Sequence, residues 1–171
     1  MIRKIENTKI NIGNKILKYK NNYEIKGKRI GDQLKTNIDI YADKILKKEL
    51  KKIKKIPVIS EENTNIKIDK YNEYWLIDPI DGTKSLFNNY KGWVTQVAYI
   101  KKNKILIGVV YAPELCELYS GSGFTNKLFF NKKLIRTYIK YKNPIFIDNY
   151  PKPNRIYKKI MNNYKKTKYL E

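Results

Sequence analysis

The 171 residues are enough for one domain with a sizeable core, and they include no histidine and a single cysteine, Cys116. This excludes Ser–His–Asp and Cys–His catalysis, imidazole zinc sites and an internal disulfide, so any chemistry must run on carboxylates, hydroxyls, lysines and a metal. The formal charge of +21 rests on scattered lysines with only four arginines, and no stretch approaches the ~20 apolar residues of a membrane span, so a cytoplasmic chain with no membrane partner and no specific nucleic-acid partner is expected.

Residues 2–20 set Ile5, Ile12, Ile16 and Leu17 at roughly helical spacing around Gly13, which predicts a helix. Residues 23–30 alternate loosely, as a strand does, and Gly31-Asp32 marks a turn. From Lys35 to Lys55 the apolar positions Ile38, Ala42, Ile45, Leu46, Leu50 and Ile53 predict an amphipathic helix. Thr36 suits its N-cap, and Asp39 its positive end. Lys55–Glu62 reads as a short apolar strand that ends in the paired acids Glu61 and Glu62, followed by a polar loop over 63–72. Taken alone, a strand ending in Glu-Glu is usually a solvated loop.

Tyr74–Ile77 is a bulky apolar run that predicts a buried strand stopping at Asp78-Pro79. Asp81-Gly82-Thr83 then predicts a helix start, with Asp81 near the N-cap. Gly92–Lys101 and Lys104–Tyr111 predict a hairpin through Lys102-Asn103, closed by Ala112-Pro113. Leu115–Tyr119 follows as a strand and Ser120–Gly123 as a turn. Lys127–Ile135 predicts a hairpin about Asn131, Pro144–Asp148 a short strand, and Asn154–Tyr164 a terminal helix. The runs Ile105-Leu106-Ile107 and Val109-Val110-Tyr111 read as strands buried on both faces.

The stretch that draws these elements towards chemistry is Glu73–Phe87. Asp78 and Asp81, three residues apart on a tight turn, can aim at one point, with the carbonyl of Ile80 between them. Carboxylate and carbonyl oxygens are what a hard cation such as Mg²⁺ prefers, with phosphate supplying other ligands. The N–H groups around Gly82 and Thr83, at a helix start, suit a phosphate. The same two carboxylates also fit a plain turn with a helix N-cap.

DPIDGT after an apolar strand resembles the signature of the inositol monophosphatase superfamily of Mg²⁺-dependent phosphatases. Ser60-Glu61-Glu62, 17 residues before Asp78, is similar to that family's paired-acid element, and Thr36–Asp39 to its Thr-x-x-Asp element. DPIDGTK, GWVTQVAYI and GVVYAPE together look most like the 3′(2′),5′-bisphosphate nucleotidase branch. Inositol monophosphatases and the histidinol phosphatase branch remain alternatives. The resemblance implies a layered α/β fold. It implies a metal set of Glu61, Asp78, the Ile80 carbonyl and Asp81, with Glu62 just outside it. Asp39, Thr83 and Glu61 would serve catalysis, and Gly82 and Thr83 would bind the substrate phosphate. The implied cofactor is Mg²⁺ and the implied partner a small phosphorylated metabolite.

In the family the chain continues into a second α/β layer ending in Trp-Asp-x-Ala-Ala, whereas Trp75 and Trp93 are not followed by Asp. Residues 1–171 are therefore expected to form a single domain holding only the N-terminal portion of that fold. The remainder is expected to be lost to truncation or supplied by a complementing chain, and the apolar surface left uncovered to favour a homo-oligomer. A non-catalytic remnant and a basic binding module are the competing readings. Against the latter, Lys, Asn, Ile and Tyr make up 93 of the 171 residues, a bias that A/T-rich codons produce without any partner.

Overall fold

A computed structural model describes residues 1–30, 33–62 and 70–135, and the backbone of 146–148 and 167–169. The backbone divides into two compact units, Met1–Arg136 and Thr137–Glu171. In the second unit, β10 (Phe146–Asp148) pairs parallel with β11 (Thr167–Tyr169), a strand the sequence reading did not anticipate. The helix expected over Asn154–Tyr164 lies outside the described residues.

The first unit opens with α1 (Ile2–Asn22), the hairpin of β1 (Gly27–Ile30) and β2 (Gln33–Thr36), and α2 (Asn37–Ile53). A seven-stranded sheet follows in sequential order: β3 (Val58–Ser60), β4 (Glu73–Asp81), β5 (Val94–Lys101), β6 (Lys104–Ala112), β7 (Glu117–Ser122), β8 (Lys127–Phe130) and β9 (Lys133–Ile135). Only the β3–β4 pair is parallel; each later strand runs antiparallel to the one before. The fold is a layered α/β structure.

Alternation along each strand explains the layering. Trp75, Ile77, Val97, Tyr99, Ile107, Val109, Tyr111 and Leu118 point to one face and bury themselves against Ile5, Ile12 and Ile16 of α1 and Ile38, Ala42, Leu46 and Leu50 of α2. Leu76, Ala98, Gly108, Gly121 and Leu128 are successive cross-strand partners on the other face. There Leu76, Ile105 and Leu128 are exposed. The expectation of strands buried on both faces is therefore corrected for β6, whose side chains alternate between covered and open.

Other expectations are also corrected. Lys35 and Thr36 close β2, so α2 starts at Asn37 with Thr36 as its cap. Strand β4 does not stop at Asp78-Pro79: the register shifts between Asp78 and Asp81, and Asp81 pairs with Val94. A bulge accommodates the proline, which has no N–H to give. Ser120, Gly121 and Ser122 are strand residues of β7, because a 3₁₀ turn at Pro113–Leu115 delays the strand's start to Glu117.

Gly13 sits mid-helix for a packing reason. A Cβ there would lie 2.5 Å from the Tyr111 ring and 2.9 Å from Pro113. Gly13→Ala, which in an open helix stabilises by about 1 kcal/mol, is expected here to destabilise by about 1–3 kcal/mol through overpacking. Thermal denaturation of the variant should show a lower midpoint; a rise would mean that α1 is not seated on Tyr111.

Candidate metal and phosphate centre

The parallel register brings two acids together. Val58, Ile59 and Ser60 pair with Trp75, Leu76 and Ile77, and the N–H of Glu61 donates to the Ile77 carbonyl at 3.1 Å. Extending that register by one residue sets Glu61, just past the end of β3, beside Asp78, where the bulge of β4 begins. The two carboxyl groups are close enough that the charge of Glu61 acts on Asp78. Between Asp78 and Asp81 the bulge turns the backbone inward, and the Ile80 N–H donates to Asp78 Oδ1 at 3.1 Å. Asp81 Oδ2 accepts a hydrogen bond from Gln96 Nε2 on β5.

The next residue, rather than Asp81, caps the following helix. Gly82 has φ of 90°, in the left-handed region, and leads into α3 (Thr83–Phe87) with no side-chain cap. A Cβ at that position would also meet the Trp93 backbone at 3.3 Å, so two independent reasons demand glycine. Thr83 Oγ1 lies 3.1 Å from Asp39 Oδ1 and 3.2 Å from the Ile80 carbonyl oxygen. Asp39 is fully buried and closes a capping box at the start of α2. Its Oδ2 accepts from the Thr36 N–H at 2.8 Å and from the Thr36 hydroxyl at 2.6 Å. One carboxylate thus caps a helix with one oxygen and reaches the DPIDGT turn with the other.

Burial raises the Asp39 carboxyl above its usual range, against hydrogen bonds from Thr36 and Thr83 that favour the charged form. Asp78 is pushed up to about 7, first by burial, then by the charge of Glu61 and the hydrogen bond to it, then by Asp81. Among the described residues no three acidic side chains are gathered about one point. Glu61 and Asp78 meet, Asp81 is held by Gln96, and Glu62 turns away to an ion pair with Lys35 at 2.5 Å. The donor set, carboxylates and one carbonyl, is chemically that of a hard divalent cation.

The family model described as "Inositol monophosphatase family" matches residues 2–151. The chain belongs to the inositol monophosphatase family. Its relatives include the 3′(2′),5′-bisphosphate nucleotidase CysQ of Buchnera aphidicola, 32% identical over 136 residues, which are 76% of this chain and 51% of that protein. The extragenic suppressor protein SuhB of Bartonella henselae superposes with a TM-score of 0.73 at 20% identity, over 85% of this chain and 58% of that one. An IMPase/NADP phosphatase solved with Mg²⁺ and phosphate superposes with a TM-score of 0.68 at 24% identity, over 80% of this chain and 53% of that one. The chain spans about half the length of the nucleotidase and these solved neighbours.

Two residues behind this family centre escaped the sequence reading. Gln96 interrupts an apolar strand, and that polarity was the readable signal. Lys9 occupies the position between Ile5 and Ile12 on the apolar stripe of α1. It is fully buried, with Nζ donating to Thr95 Oγ1 on β5. Burial holds its ammonium well below the usual lysine range, and the charge of Asp78 works against that.

These shifts give opposite pH slopes. Asp78 has a native pKa of about 7, above the ~3.9 of an unfolded aspartate. The native state therefore binds the extra proton, and stability from this group falls as pH rises from about 4 to about 7. Asp78→Asn is expected to remove that fall in metal-free denaturant titrations. Lys9, depressed in the native state, contributes a rise in stability at higher pH, up to about 10.4. An unchanged slope between pH 4 and 7 in Asp78→Asn would show that Asp78 is not the group repelled by its neighbours.

Proposed function

We propose that the chain is the metal-binding and water-activating part of a Mg²⁺-dependent phosphate monoester hydrolase acting on 3′(2′),5′-bisphosphate nucleotides in the cytoplasm. The observation that carries this is the parallel register that sets Glu61 beside Asp78 at the start of the β4 bulge, with Thr83 hydrogen-bonded to Asp39. The CysQ relative supports the substrate class.

Glu61, Asp78, the Ile80 carbonyl and Asp81 are the groups assigned to the cation. When bound, Mg²⁺ lowers the pKa of a bound water and stabilises charge on the phosphoryl oxygens. Thr83 donates its hydroxyl proton to Asp39 Oδ1, which leaves its lone pairs free to accept a proton from the attacking water. Asp39 is suited to that task because burial has raised its pKa while Thr36 holds its other oxygen fixed. The backbone N–H groups of Gly82 and Thr83 are assigned to the substrate phosphate. With no histidine in the chain, a hydroxyl–carboxylate pair is the available proton acceptor beside the cation site.

Because the chain spans about half the length of its CysQ relative, its turnover alone is expected to be far below that of a full-length relative. The open sheet face of Leu76, Ile105 and Leu128 is the surface assigned to a complementing chain.

Phosphate release from adenosine 3′,5′-bisphosphate and from inositol monophosphate, with Mg²⁺ present or chelated, tests the reading. Mg²⁺-dependent release favouring the nucleotide is expected. Thr83→Ala should lower kcat about 10²–10⁴-fold with little change in KM. Mg²⁺ should also raise the melting temperature, as ligands selective for the native state do, and Asp78→Asn should abolish that rise. No thermal shift at millimolar Mg²⁺ and no turnover on either substrate would refute the proposal. A preference for inositol monophosphate would reassign the substrate.

A further inference from the structure

Strand β5 carries two adjacent polar residues, Thr95 and Gln96, between apolar neighbours. Thr95 faces the helices and holds Lys9. Gln96 faces the opposite way, on the side of its register partner Asp78, yet its amide donates to Asp81. The bulge explains this. Val94, not Gln96, is the partner of Asp81, so Gln96 is Asp81's diagonal neighbour across the strand pair. Diagonal neighbours lie about 7–8 Å apart, within reach of a long side chain and beyond that of a short one.

We propose that Gln96 is the positioning residue for Asp81: its Nε2–H holds Oδ2 and leaves Oδ1 as the oxygen offered to a divalent cation. This rests on the metal-centre reading above and goes beyond it by assigning the group that orients one ligand. Asp81 is exposed and three residues past the Glu61–Asp78 pair, so without a tether its carboxylate samples rotamers turned to water and away from its acidic neighbours. An amide suits the task because it is neutral. It fixes the carboxylate without cancelling the charge that a cation needs, as a lysine at position 96 would. Outer partners of this kind hold ligands in the orientation that a metal requires, and their loss typically weakens binding about 10–100-fold.

The test uses Mn²⁺ as probe, with the free ion followed by electron paramagnetic resonance, on the full chain and on Gln96→Met and Gln96→Asn. The Met variant keeps length and loses the donor; the Asn variant keeps the donor and loses the reach. Both are expected to raise the Mn²⁺ dissociation constant about 10–100-fold, with the metal-free melting temperature unchanged. Wild-type affinity in Gln96→Met would overturn the assignment while leaving the metal centre standing. Wild-type affinity in Gln96→Asn would overturn the argument from reach. A lowered metal-free melting temperature with unaltered Mn²⁺ affinity would make Gln96 a packing residue and overturn the proposal. Failure of the wild-type chain to bind Mn²⁺ would remove the metal centre, and this assignment with it.

Discussion

Glu61 and Asp78 stand side by side because β3 runs parallel to β4, the one parallel pair in a sheet otherwise antiparallel throughout. Parallel pairing runs both strands in the same direction, so Glu61, which follows β3, lies beside Asp78 of β4 although the two are 17 apart in sequence. Had β3 run the other way, Glu61 would leave the sheet far from Asp78. Burial first, and then the charge of Glu61, raises Asp78 to about 7. Asp81 is hydrogen-bonded to Gln96, and Glu62 pairs with Lys35. The divalent cation proposed for this pair would relieve the repulsion between its charges.

Asp39 joins a helix cap to the chemical role proposed for it in one side chain. A capping box needs a carboxylate at the third helical position, and Thr36 and Asp39 satisfy it. That alone would place Asp39 at the protein surface in most helices. Here the start of α2 is buried against the DPIDGT turn, so the second oxygen of Asp39 meets Thr83 instead of water. The cap fixes the rotamer, and the fixed rotamer holds Thr83. Stability and chemistry therefore act through the same bonds, and substitutions at Asp39 cannot separate them.

The electrostatics are local rather than global. A formal charge of +21 surrounds a centre built from carboxylates, and solvated lysines at that distance are screened by salt. Lys9 is different because no water reaches it. Its ammonium sits inside the sheet–helix interface with one hydroxyl partner, Thr95. Burial works against its charge, and among the described residues the counter-charge acting on it is that of Asp78. Thr95 and Gln96, neighbours in sequence, thus support the two sides of the sheet: one holds the buried amine of Lys9, the other the exposed carboxylate of Asp81.

The sequence by itself determined α1, α2 and most of the described strands, because each is encoded by short-range pattern. Apolar spacing in α2 follows from 3.6 residues per turn, and the DPIDGT string places its two carboxylates three residues apart. What escaped was whatever depends on the partner strand. Pro79 reads as a strand end, yet pairing resumes at Asp81 because β5 tolerates a bulge. Ile105-Leu106-Ile107 reads as buried on both sides, yet only one face meets helices. Gly13 reads as a weak point in a helix, yet it is required by a tyrosine about a hundred positions away in sequence. Lys9 looks like a solvated lysine until α1 is laid on the sheet. Only the tertiary structure decided these, because each depends on which surface comes to lie within a few ångströms, and no local pattern carries that distance.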